Sequence, residues 1–252
     1  LVDALRLDHL SCYGYPLATS PALDELASKS LLFWSLVPSA SWTRPSVATL
    51  FTSLYPPAHG AQDRDDMVRP GLPTLAGALA RGGYATQGLI TNPHLLPMWG
   101  FGDGFARYVD AGATLPMNTH ERDAQVISRA IVATDQLRGR PWFLYVHLMG
   151  PHGPLLDLPE TAAFLPEKFV GTRPAVRIQK MLAQYDGAIL RTDKEIARLL
   201  AHLREDGQWN NTAIVVVSDH GEQFGEHGEY GHGRSLFEEE LRVPLIVKLP
   251  DG

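Results

Sequence analysis

The stretch "VVVSDHGEQFGEHGEYGHG" carries Asp219 and His220 out of an apolar, β-branched run and straight into glycine-rich sequence holding three more acidic residues and two more histidines. A carboxylate beside an imidazole at such a point can bind a divalent cation, and the imidazole favours Mn or Zn over Ca. The same residues also suit a solvated loop in which Asp and His cap turns, so spacing alone leaves both open. Asp3, after the opening "LV", is a second candidate oxygen donor, although taken alone it suits capping a turn or helix better than binding a cation. In "SWTRPSVATL", Pro45 fits the first turn of a helix, with Thr43 or Arg44 before it as the cap. A helix N-terminus attracts anions, and a hydroxyl there, held by a cation, can attack a phosphorus or sulfur centre. The bland alternative for Thr43 is an N-cap with a structural role only.

Several elements must bring these residues together. Apolar runs at 85–90, 142–148, 212–218 and 243–249 read as buried strands. Between them, "LPTLAGALARGG" at 72–83 and the long periodic stretch 177–206 read as amphipathic helices, the second stopping at Gly207. Such alternation predicts an α/β layered domain with a largely parallel central sheet, and ligands in such sheets bind beyond the carboxyl ends of the strands. The proline-rich stretch 150–175 reads as a surface excursion near that edge.

The chain has 252 residues, 44% of them hydrophobic, enough for one domain with a substantial core. A net charge of -6 and the lack of any Lys/Arg run argue against a nucleic-acid or anionic-membrane partner. The single cysteine, Cys12, forms no internal disulfide and reads as a small buried apolar residue. No run is long and apolar enough to predict a membrane span.

Five blocks in order, "LVDALRLDHLSCYGY", "SWTRPSVATLFTSLYPPAHG", "LPTLAGALARGGYAT", "FLYVHLMGPHGP" and "SDHGEQFGEHGEYGHGRSLFEEELRVPLIV", resemble the signature blocks of the sulfatase branch of the alkaline phosphatase superfamily. The resemblance runs from about residue 1 to residue 249. It implies an alkaline-phosphatase-like three-layer α/β sandwich with one divalent metal ion at the carboxyl edge of the sheet. Asp3, Asp219 and His220 fall on metal-ligand positions, and Thr43 on the nucleophile position, itself in contact with the metal. His152 and His232 fall where the family places groups that hold anionic oxygens or protonate the leaving oxygen. Residues 1–252 would then be a catalytic domain with its first strand cut short and without the smaller C-terminal subdomain. The substrate would be a small-molecule, glycan or lipid ester. Relatives of this kind often work outside the cytoplasm, in some cases tethered to a membrane.

The sequence also departs from the family pattern. Sulfatases carry Cys or Ser where Thr43 stands, to be oxidised to formylglycine, and Arg where Val47 stands; threonine cannot give that aldehyde. The expected activity is therefore hydrolysis or transfer of a phosphate, phosphonate or sulfate ester through a covalent Thr43 intermediate. The alternatives are a sulfatase working without formylglycine and a catalytically inactive binding domain. Gly150 stands where many sulfatase-like chains place Asp, and no clean second metal set follows. Among the remaining candidates, His147 reads as a satisfied core residue, His227 as a site-lining or solvated residue, His59 as a neighbour of the nucleophile or a structural residue, Asn92 as a weak substrate contact, and Asp63–Asp66 as a solvated face.

Overall fold

The computed structural model describes residues 1–112 and 122–251. In chain order the strands are β1 (Leu31–Leu36), β2 (Ala85–Ile90), β3 (Arg107–Asp110), β4 (Trp142–Val146), β5 (Ile214–Val217), β6 (Gln223–Phe224), β7 (Tyr230–Gly231) and β8 (Val243–Lys248). The helices are α1 (Pro21–Ala27), α2 (Thr43–Thr52), α3 (Pro56–His59), α4 (Leu75–Arg81), α5 (Arg122–Leu137), α6 (Arg173–Glu205) and α7 (Glu238–Leu241). All four strands expected from the apolar runs form, three of them trimmed at their ends.

β2 lies between β3 and β4 with all three parallel, while β8 lies between β1 and β5 and runs antiparallel to both. The opening residues join the two halves. Leu148 donates its N–H to the Leu1 carbonyl at 3.0 Å, Asp3 N–H bonds the Leu148 carbonyl at 2.9 Å, and Val2 N–H bonds the Val217 carbonyl at 2.9 Å. Asp3 is thereby held between the ends of β4 and β5. Asn92 follows β2, His147 follows β4, and Asp219 follows β5, so four polar side chains leave the sheet at one edge.

Alternate strand residues face opposite layers. Leu89 joins the core beneath α1, α5 and α6 with Val126, Ile127, Tyr185 and Ile189. Its neighbour Ile90 joins the core beneath α2 with Val47, Phe51, Phe101 and Tyr145. The result is the expected α/β sandwich, helices on both faces of a central sheet. On α6, a Cβ at Gly187 would sit 2.7 Å from the Thr161 amide nitrogen, so only glycine lets the 150–175 excursion lie so close to the helix. Cys12 is half-buried against the larger core, less enclosed than its composition suggests. Among the described residues no helix is long and apolar enough to cross a membrane.

Candidate active site

α2 begins one step earlier than the Pro45 signal suggests. Thr43 is its first residue and Trp42 its N-cap, and no side chain caps the first turn. The Thr43 hydroxyl is therefore not spent on helix capping. It lies 3.3 Å from His220 Nε2 and accepts from Asn92 Nδ2 at 3.4 Å. The neighbouring Arg44 side chain turns away, stacks 3.9 Å over the Trp99 ring, and donates to the carbonyls of Asp63, Arg64 and Asp66. The stretch 63–66, expected to be simply solvated, thus has its backbone tied to the helix that carries Thr43.

Asp3, Asp219 and His220 are buried together, with one donor atom of each inside 4.8 Å of the others. His220 Nε2 lies 3.2 Å from Asp3 Oδ1 and 3.6 Å from Asp219 Oδ2. Its Nδ1 faces the Gly221 carbonyl at 2.8 Å, and donating that N–H leaves Nε2 to face the carboxylates. Asp3 Oδ2 accepts from Asn92 at 2.8 Å, whereas Asp3 Oδ1 and Asp219 Oδ2 are enclosed without a hydrogen bond. Two buried anionic oxygens facing one imidazole nitrogen, with the Thr43 hydroxyl beside that nitrogen, form a donor set that fits a divalent cation.

The electrostatics agree with that donor set. Burial and the negative charge of Asp3 push Asp219 up to about 6. Burial would raise Asp3 as well, but the charge of His152 and the close approach of His220 at 3.2 Å outweigh it and hold Asp3 below the carboxylate range. Burial works against protonated His220, yet Asp219 and Asp3 overcome it and raise His220 to about 10. Without a cation, the positive charge between the carboxylates is the His220 proton.

Two further imidazoles sit over the cluster. His232 lies 4.2 Å from the His220 ring and His152 lies 5.0 Å from His232, measured between ring centroids. Buried Glu222 receives His232 Nδ1, with its two carboxylate oxygens 3.1 and 3.2 Å away. Glu222 follows His220 closely in sequence, but nothing in that spacing marked it as the His232 partner. Asp123 on α5 was also invisible. Its carboxylate accepts from the backbone of Met149 at 2.9 Å and of Gly150 at 3.0 Å, bracing the turn that presents His152. A Cβ at Gly150 would lie 1.9 Å from the Thr192 hydroxyl and 2.7 Å from Asp123 Oδ2, so the space for a side chain there is already filled.

The remaining candidates separate cleanly. Asn92 is buried and bridges Asp3 and Thr43. His147 is a correction: it is fully buried, but its Nε2 has no hydrogen-bond partner and faces Asp3 Oδ2 at 3.4 Å, so it belongs to the site wall and is not a satisfied core residue. His59 is structural, accepting from Ala61 N–H at 3.1 Å and meeting Thr49 Oγ1 at 3.2 Å. His227 pairs with Glu239 at 3.1 Å and stacks on Phe237. A second trio, Asp135, His202 and Asp206, lies toward the surface and already holds the Arg138 guanidinium.

The Sulfatase family model matches residues 1–252, the whole chain. The chain belongs to the sulfatase family. Human N-sulphoglucosamine sulphohydrolase is 28% identical over 277 residues, covering 95% of this chain and 52% of the relative. The phosphatidylethanolamine transferase Mcr-1 of Escherichia coli is 26% identical over 247 residues, covering 92% of this chain and 43% of the relative. This sulfatase-family chain therefore spans about half the length of these curated relatives. The phosphonate monoester hydrolase of Agrobacterium radiobacter has the same fold, with a TM-score of 0.83 at 21% identity, covering 98% of this chain and 66% of that one. These curated relatives are thus a sulphohydrolase and a phosphatidylethanolamine transferase, while the phosphonate monoester hydrolase shares the fold.

Proposed function

We propose that residues 1–252 form the catalytic domain of a metal-dependent hydrolase or transferase that cleaves a phosphate, phosphonate or sulfate ester through a covalent Thr43 intermediate. The observation that carries this is the pair of buried, unbonded oxygens, Asp3 Oδ1 and Asp219 Oδ2, facing His220 Nε2, with Thr43 Oγ1 3.3 Å from that same nitrogen. Asp3, Asp219, His220 and Thr43 would hold one divalent ion, with the imidazole favouring Zn or Mn over Ca. When bound, such an ion supplies Lewis acidity that lowers the pKa of the Thr43 hydroxyl and neutralises the ester's anionic oxygens.

The chain's own residues carry the rest. Thr43 opens α2, where the first-turn N–H groups and the helix dipole favour negative charge. Thr43 Oγ1, having lost its proton to solvent, bonds the phosphorus or sulfur as the bond to the leaving oxygen breaks in line. The departing oxygen takes a proton from His152 or His232, the latter held by Glu222. Water then cleaves the Thr43 ester and restores the hydroxyl in a hydrolase, while an acceptor alcohol does so in a transferase. A phosphoryl substrate is favoured, because Thr43 cannot become formylglycine and Val47 occupies the motif arginine position. The substrate class is a small-molecule, glycan or lipid ester.

Two measurements test this. Thr43→Ala should reduce turnover to background while Zn binding weakens but stays measurable, and Thr43→Ser should keep part of the rate. Full turnover by Thr43→Ala removes Thr43 from the mechanism. Aryl phosphate, phosphodiester, phosphonate and sulfate substrates compared side by side should favour phosphorus. Faster sulfate turnover would assign the site to a formylglycine-independent sulfatase, and no turnover with no bound metal would leave a binding domain.

A further inference from the structure

His232 and His220 bring their rings to 4.2 Å from separate segments, His220 following β5 and His232 following β7. Glu222 sets the direction of the His232 imidazole but not the place of the backbone that carries it. Glu240, in α7, is fully buried and reaches both segments. Its carbonyl accepts from Gly221 N–H at 2.8 Å, next to His220. Its carboxylate serves the other side: Oε2 accepts from Gly233 N–H at 2.7 Å, and Oε1 accepts from the Ser235 hydroxyl at 2.5 Å and from Gln223 Nε2.

The Ser235 hydroxyl in turn accepts from Gln223 Nε2 at 2.8 Å, so the donors of this set each find an acceptor. Gln223 pairs across β6 and β7 with Gly231. The residues on either side of His232 are thus tied to one buried carboxylate, Gly233 directly and Gly231 through Gln223. Gly233 also runs against Trp42, the N-cap of the helix that carries Thr43: a Cβ at Gly233 would lie 3.3 Å from Trp42 Cβ. Only a carboxylate satisfies this count, because it is acceptor-only whereas glutamine offers one oxygen and one NH₂. Whichever way the amide turned, its NH₂ would meet the Gly233 N–H or the Gln223 NH₂ and leave a buried donor unpaired.

We propose that Glu240 is a positioning residue that acts through His232: its carboxylate holds the 231–235 loop against Trp42 and so keeps the His232 imidazole over His220. Its side chain bonds none of Asp3, Thr43, Asp219 and His220. The effect on turnover rests on the reading above, in which His232 can protonate the departing oxygen.

The test uses the full chain, a double-mutant cycle and a structure. Glu240→Gln should lower kcat/KM for an aryl phosphate by roughly 10- to 100-fold, the scale of a misplaced group. In a His232→Ala background the same substitution should change kcat/KM by less than about twofold, because the residue through which it acts is gone. Equal losses in both backgrounds overturn the proposal, since a general loosening of the fold would be additive. Should Glu240→Gln fail to fold, Ser235→Ala, a milder change at a half-buried position, carries the same cycle with a smaller loss. A crystal structure of Glu240→Gln needs no activity: a His232 ring displaced or spread over several positions supports the proposal, and a ring still 4.2 Å from His220 overturns it. No turnover by the unsubstituted protein, or full turnover by His232→Ala, would instead count against the reaction proposed above, and the ring position would still decide the role of Glu240.

Discussion

At the scale of single residues, the proposed cation site implies a competition between protons and the cation for one set of atoms. His220 holds its proton up to about 10, and Asp219 holds part of a proton up to about 6. A cation bound at Nε2 must displace the first proton, so affinity should rise by about tenfold per pH unit between about 6 and 10 and level off above. Below about 6 it should fall more steeply, as Asp219 also becomes protonated. Calorimetry in buffers of different ionisation enthalpy should record about one proton released per ion near pH 8, on the same linkage. A pH-independent affinity across this window would mean that His220 is not a ligand.

At the scale of elements, local chemistry explains why the helices begin and end where they do. Thr74 caps α4 by accepting from Gly77 N–H at 3.0 Å, which starts that helix later than its apolar pattern. α2 ends at Ser53 in a left-handed conformation with φ of 58°, where glycine carries no Cβ penalty. Ser53 is exposed, so Ser53→Gly should stabilise the fold by about 0.5–1 kcal/mol. Chemical denaturation checks this, and an unchanged or lower midpoint would show that Ser53 makes a compensating contact. Among the described residues, Ala4 is the other non-glycine residue with positive φ, at 57°. It follows Asp3 directly and brings its N–H to 3.4 Å from Asp219 Oδ1, so strained backbone sits where the two carboxylates meet.

At the scale of the whole molecule, the sheet edge carries an electrostatic cost. Asp3 and Asp219 are like charges enclosed together, and the rise of Asp219 from 3.8 to about 6 records the cost of ionising it in the fold. A raised carboxyl brings no penalty below its unfolded value, a growing one between about 4 and 6, and the full one above. Asp219→Asn should therefore raise the metal-free melting temperature at pH 7 and abolish high-affinity metal binding, with the thermal gain shrinking as pH falls towards 4. Scanning calorimetry at several pH values reads both, and a lower melting temperature at pH 7 would show that the carboxylate stabilises the empty site.

The amino-acid sequence by itself determined the layered α/β class, the main strands and helices, and Asp219–His220 at a strand exit, because periodicity and branched apolar runs are local signals. The ordered blocks also marked Asp3, Thr43, His152 and His232. Tertiary structure alone decided which other residues join them. Asn92, His147, Asp123 and Glu222 are separated along the chain and meet only when β2, β4, β5 and α5 converge at one edge. His147 shows the limit most clearly: an apolar strand context predicts burial, but whether a buried nitrogen meets apolar neighbours or a carboxylate depends on the strip Leu1–Asp3 lying alongside it. The Thr43 hydroxyl is likewise freed from capping by where Trp42 turns the chain, a choice made by packing and not by the proline that announces the helix.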